Sequence, residues 1–161
     1  MSDSLTLYRT ILRIIASSQV RFHDLRCMFT FVWAVVGVLM EQSVHLSKWG
    51  MQRTGSAKAA SKQRQFARWL KNNRIVPNEI YEHLAQTAFQ DWAGNQVCLA
   101  LDASSLWDEF VIVRLAVIYR GRALPISWVV LKQKSTMVAF ENYKSILKEA
   151  ASRLPKNCRV I

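Results

Sequence analysis

The chain is short of the residues that mark scaffolds held together without a packed core: among 161 residues there are 3 cysteines, 5 glycines and 3 prolines. Cys27, Cys98 and Cys158 stand far apart with no CxxC pair, which argues against a disulfide framework or a Cys-rich zinc site and fits a reducing cytosol. So little Gly and Pro excludes a collagen-like fibre or a low-complexity tract. Long apolar runs are also missing. The longest uncharged run, Cys27 to Met40, has 14 residues, against the about 20 that a spanning helix needs. Arg21 and Arg26 precede it as basic residues precede the apolar part of a signal sequence, but no small-residue cleavage pattern follows, so a buried helix is expected. Acids are scarce as well: 22 Lys and Arg face 11 Asp and Glu, a formal charge of +11. Such an excess opposes compaction unless a polyanion is near, which makes nucleic acid or an acidic membrane surface the leading partner class. With 51% apolar residues the chain has ample surface to bury and reads as globular.

The pattern changes near Gly94-Asn95, from helical spacing before it to β-rich runs after it, and a boundary between domains 1–94 and 95–161 is expected there. In the first part, Leu7, Ile11, Ile14 and Ile15 share a helical face. Asp24 can cap a helix running to about Met40. Ser43 to Trp49 is a short segment closed by Gly50, Ala57 to Asn73 a longer helix, and Asn78 after Pro77 caps another with Tyr81, Leu84, Ala85, Ala88 and Trp92 on one stripe. This is an all-α module of four or five helices.

The second part opens on Val97 to Leu101, a continuous apolar run that reads as a buried central strand ending on Asp102. Phe110 to Tyr119 is a second strand and Ala123 to Leu131 a third, joined by the short turn Arg120-Gly121-Arg122. Pro125 cannot donate to a ladder and puts the third strand at an edge. Ser135-Thr136 can cap a helix from Met137 to Leu154, with Phe140, Tyr143, Leu147, Ala150 and Leu154 on its apolar face, and a fourth strand begins near Ile161. A meander of three strands followed by a crossover helix gives the order three, two, one, four, the fourth parallel to the first. The class is α+β. Ligands of such sheets collect beyond the carboxyl ends of adjacent parallel strands, where Asp102 is expected.

Paired carboxylates at neighbouring strand ends make a hard oxygen site for Mg²⁺ and for two-metal attack on phosphodiesters. Asp102 is the one acid in the right place, while Asp108 and Glu109 belong to a solvated turn. Position alone leaves Asp102 open between a catalytic, metal-holding role and strand-terminal capping. The string Leu99-Ala100-Leu101-Asp102-Ala103-Ser104-Ser105-Leu106-Trp107, then Tyr119-Arg120-Gly121-Arg122-Ala123-Leu124-Pro125-Ile126-Ser127-Trp128, resembles the start of the catalytic core of bacterial DDE transposases of the insertion-sequence-four family. Lys134-Ser135 and Phe140, Glu141 and Tyr143 continue the likeness. The resemblance implies an RNase H-like core, here the first three strands, the helix and the start of the fourth. It also implies an Mg²⁺-dependent DNA transposase whose first catalytic and metal-binding carboxylate is Asp102. The family's later Asp and Glu would fall beyond Ile161, so the chain is expected to be an N-terminal fragment without strand-transfer activity of its own. Terminal inverted repeats, a second copy or a full-length transposase are the implied partners, in a bacterial cytoplasm near the nucleoid and not at a membrane.

From Lys48 to Arg74 there are eight Lys and Arg and no acid. Lys58, Lys62, Arg64, Arg68, Lys71 and Arg74 are the candidate DNA-binding residues. Arg64, Arg68 and Lys71 share one helical arc, with Ala59, Phe66, Trp69 and Leu70 opposite, so an apolar side can dock while a basic side meets phosphate. The competing reading is a solvated charged face, and a non-enzymatic regulatory or decayed fragment competes with a piece of an active enzyme. A short helix, a Gly50 to Gly55 turn and the basic helix have helix-turn-helix character. His23, His45 and His83 lack partners at ligand spacing, and Ser104-Ser105 lacks a nucleophile-elbow frame. The six tryptophans are spread as core residues are.

Overall fold

The computed structural model describes residues 3–161. Six α-helices and four strands follow the order α1 (Asp3–Ser17), α2 (Leu25–Glu41), α3 (Leu46–Gln52), α4 (Ala59–Leu70), α5 (Pro77–Phe89), a 3₁₀ turn (Gln90–Trp92), β1 (Gln96–Leu106), β2 (Phe110–Tyr119), β3 (Arg122–Leu131), α6 (Phe140–Arg153) and β4 (Arg159–Val160). The chain divides into two compact units, Met1–Leu84 and Ala85–Ile161. No single described helix is long and apolar enough to cross a membrane.

In the first unit α2 is the central helix. Asp24 caps it as its sequence position suggested, the carboxylate accepting from the Cys27 amide at 2.6 Å. The uncharged run behind that cap buries Val32, Trp33, Ala34 and Val36 against Ile11 and Ile15 of α1, Trp49 of α3 and Phe66 of α4. Ile14 is exposed. Where α2 meets α3 the backbones nearly touch: a Cβ on Gly37 would lie 2.6 Å from Trp49 Cβ and 2.8 Å from its Cα. Trp49 is pinned there by its indole, which donates to the Ser43 carbonyl at 2.6 Å, and by an edge-on contact with Phe66.

Several expected boundaries move for local reasons. Gly50 does not close α3, which runs through it to Gln52; a Cβ there would meet Lys62 Cβ of α4 at 3.4 Å, an ordinary contact distance. Pro77 is the first residue of α5 rather than the residue before a cap, because its fixed φ suits the first helical position. Asn78 therefore lies inside the first turn. The apolar stripe of α5 is centred on Ile80, Ala85 and Phe89, and Ala88 is exposed.

The second unit is a four-stranded mixed sheet of order β3-β2-β1-β4, with β4 parallel to β1 and the other neighbours antiparallel. This is the order derived from the edge position of Pro125 and the crossover. Both hairpin turns use the left-handed region, at Trp107 and Asp108 in one and at Arg120 and Gly121 in the other, which suits the right-handed twist of the paired strands. The buried strand is β2, through Val111, Val113, Leu115, Ala116 and Val117. Contrary to expectation β1 is central in order but largely uncovered, with Val97 buried and Leu101 47% exposed. Its ladder to β4 involves Gln96 and Val97, extended by the Leu99 amide to the Ile161 carbonyl at 3.1 Å.

On β3 the register with β2 shifts by one at Leu115/Ala116, which face Ser127 and Pro125, so Ile126 is the extra residue of a bulge. Arg153 of α6 is 2% exposed and donates to the Ile126 carbonyl at 2.5 Å and to Glu149 at 2.8 Å. The Ser127 hydroxyl donates to the same Glu149 carboxylate. Helix α6 thus lies on β3 and β2 through Ile146, Ala150 and Arg153, and Phe140 and Leu147 of the expected stripe are exposed. It also starts later than expected, at Phe140. The Ser135 hydroxyl accepts from the Met137 amide, and the Gln133 side chain donates to the carbonyls of both, closing a local loop in place of a helix cap.

Candidate nucleic-acid interface and the Asp102 position

Helix α4 has two chemically distinct sides. Its inner side is Phe66, fully buried, with Gln65 and Trp69 beside it. Gln65 donates to the Thr30 hydroxyl at 3.2 Å and accepts from Arg53, and the Trp69 indole donates to the Cys27 carbonyl at 3.1 Å. Burial raises the Cys27 thiol pKa, with the Trp69 hydrogen bond acting the other way. These contacts fix the rotation of α4. Ala59 and Leu70, expected on the inner side, are exposed, so the docking face is narrower than the apolar pattern implied.

The outer side carries Arg64, Arg68 and Lys71, all exposed. The two arginines lie along the helix, Arg64 Nε donating to the Ala60 carbonyl at 3.3 Å and Arg68 Nε to the Arg64 carbonyl at 3.4 Å. Lys58 and Lys71 flank α4 at its two ends. Lys62 is placed differently: it is half-buried and its Nζ donates to the Arg53 carbonyl at 2.5 Å, where it ties α4 to the preceding turn. Arg74 sits 3.4 Å from His23 Nε2. Among the described residues none of these six cations forms an ion pair with an acid. The α3–α4 connection is Arg53–Lys58, and α2 and α3 bend through 101°.

Asp102 stands in the middle of β1 rather than at its end, because β1 continues to Leu106 in its hairpin with β2. The cross-strand neighbour of Asp102 is Arg114. Its carboxylate accepts from Arg114 at 2.7 Å and from the Ser104 hydroxyl at 2.8 Å. The Arg114 hydrogen bond, then that of Ser104, holds its pKa below the ordinary carboxylate value. Arg114 was not singled out from sequence; pairing it with Asp102 requires knowing that the strand continues. A hard divalent cation takes about six oxygens. Here one carboxylate meets a guanidinium, and the described residues hold no group of three His, Cys, Asp or Glu able to bind a metal. These residues do not fit a Mg²⁺ site, and no metal-assisted step follows from them.

No protein-family model, curated protein or solved structure matches the chain.

Proposed function

We propose that the chain is a DNA-binding segment of a DDE transposase of the insertion-sequence-four family, and that residues 3–161 by themselves bind DNA without cutting it. The observation that carries the binding half is the outer side of α4: three exposed cations, free of acidic partners, on a helix whose opposite side is locked into the core. Such an arc exchanges condensed counterions for protein cations when it meets phosphates. The "LALDASSLW" and "YRGRALPISW" strings support the family reading. So does the sheet order, a meander followed by a helix and a strand parallel to β1, which is what an RNase H-like core requires. Terminal inverted repeats are the DNA such a protein would select.

The regulatory reading is favoured by one observation, the capture of the Asp102 carboxylate by Arg114. A protein that occupies repeats without cleaving them inhibits the enzyme that would. The test is a salt titration of binding to terminal-repeat duplex. Neutralising Arg64, Arg68 and Lys71 should lower the slope of log affinity against log salt by about 2.7, at about 0.9 per phosphate contact. Asp102→Ala should leave it unchanged. An unaltered slope in the triple variant removes the α4 interface, and Mg²⁺-dependent nicking of the duplex by the purified chain removes the non-cutting half.

A further inference from the structure

One end of the sheet, in the second unit, carries cations and aromatic rings together. Arg120 and Arg122 project from the β2–β3 turn. The register brings Arg159 of β4, opposite Gln96 of β1, to the same end. All three arginines are exposed, and among the described residues none is ion-paired. Beneath them runs a line of rings: buried Phe89 lies 4.9 Å from Trp92, and Trp92 lies 4.9 Å from Tyr119. Tyr119, the outermost, is 41% exposed, and the Arg120 guanidinium lies 5.1 Å from its ring centre. An open pocket of about 430 Å³ adjoins them, lined by Trp92 and Tyr119 with Asn95, Gln96 and Asp91 on its polar side.

We infer that this end of the sheet takes a segment of single-stranded nucleic acid, with a base against Tyr119 and Trp92 and the flanking phosphates on Arg120 and Arg122. The chemistry favours an unpaired strand over a duplex. Aromatic side chains grip bases by their faces, and in a duplex those faces are already stacked. Arg120 occupies the place over Tyr119 that a base would take, so binding exchanges its cation–π contact for a phosphate. Asp91 is the one acid of the pocket, and its carboxylate can accept from a ring or exocyclic N–H of a base. This surface belongs to the second unit and the α4 arc to the first, and each can fail without the other.

The test uses the full chain with a fluorescent oligothymidylate and, separately, a duplex of equal length. Tyr119→Ala should weaken oligothymidylate binding roughly five- to a hundred-and-fiftyfold and leave duplex affinity as it was, while Tyr119→Phe should retain both. Arg120→Gln with Arg122→Gln should lower the single-strand salt slope by about 1.4, at about 0.7 per phosphate. Unchanged thermal melting of these turn variants would exclude loss of folding as the cause. Equal oligothymidylate affinity in wild type and Tyr119→Ala would overturn the inference. So would loss of that binding on neutralising Arg64, Arg68 and Lys71 with no further effect of Tyr119→Ala, or a stronger response of the turn variants to phosphatidylserine vesicles than to oligothymidylate.

Discussion

Gly37 and Gly50 sit in neighbouring helices and should answer the same substitution with opposite signs. An alanine in a helix interior is favoured over glycine by about 0.8–1 kcal/mol, from backbone entropy alone. At Gly37 that gain meets a wall, since the new Cβ would stand 2.6 Å from Trp49 Cβ and 2.8 Å from both its Cα and Cγ. Trp49 cannot step aside, because its indole is bonded to Ser43 and its ring lies edge-on to Phe66. Overpacking of this kind costs about 1–3 kcal/mol, and with a backbone atom in the way the upper end applies, leaving Gly37→Ala about 2 kcal/mol less stable than wild type. At 4–8 °C per kcal/mol for a unit of this size, its melting point should fall by about 8–16 °C. At Gly50 the nearest atom, Lys62 Cβ, is 3.4 Å away, an ordinary contact distance, so the helix gain survives and Gly50→Ala should melt up to about 8 °C higher. Thermal unfolding followed by far-UV circular dichroism decides it. A Gly37→Ala chain melting at or above wild type would refute the close-approach argument, as would a Gly50→Ala chain that falls equally far.

Other consequences follow from charge and hydrogen bonding. Glu149→Ala leaves the Arg153 guanidinium buried without its carboxylate and should destabilise the second unit by about 3–5 kcal/mol; denaturant unfolding followed by tryptophan fluorescence measures it. Asp24 and Asp102 both have carboxyl groups held below the ordinary 3.8, Asp24 chiefly by the Cys27 amide and Asp102 chiefly by Arg114. Their stabilising contributions are therefore complete above that value and disappear as pH falls through the lower folded values. NMR titration should find both midpoints below 3.8, and Arg114→Ala should raise that of Asp102 and leave Asp24 alone. Trp69→Phe removes the donor to the Cys27 carbonyl, should cost about 1 kcal/mol, and should weaken duplex binding by loosening α4.

The helical half was legible because the uncharged run, the Asp24 cap and the apolar spacings all pointed the same way. The strand order was legible because Pro125 and the length of the crossover left one arrangement. The extent of β1 was not. Asp102-Ala103-Ser104-Ser105 is poor in β-branched residues, and that stretch is a strand because β2 pairs with every residue of it. The inner face of α6 was hidden for a different reason: pattern reading counts apolar residues, whereas here Glu149 and Arg153 point inward to satisfy the bulge. The placement of Lys62 was hidden in the same way, its charge turned inward to a backbone carbonyl. The fold withheld the Asp102–Arg114 pair from local inspection, since the two residues are joined by register and not by sequence spacing.

The bulge at Ile126 also splits β3 into two phases. On one side Ser127, Val129 and Leu131 share the face of Leu115, Val113 and Val111; on the other, Leu124 takes the place beside Val117. An odd number therefore occupies the helix-facing side in one half of the strand, and an even number in the other. Between Ala123 and Trp128 the chain can change composition more safely than it can change length. Deleting a single residue there would put the two halves back in step, turning one of them inside out and taking from Arg153 the carbonyl that it reads.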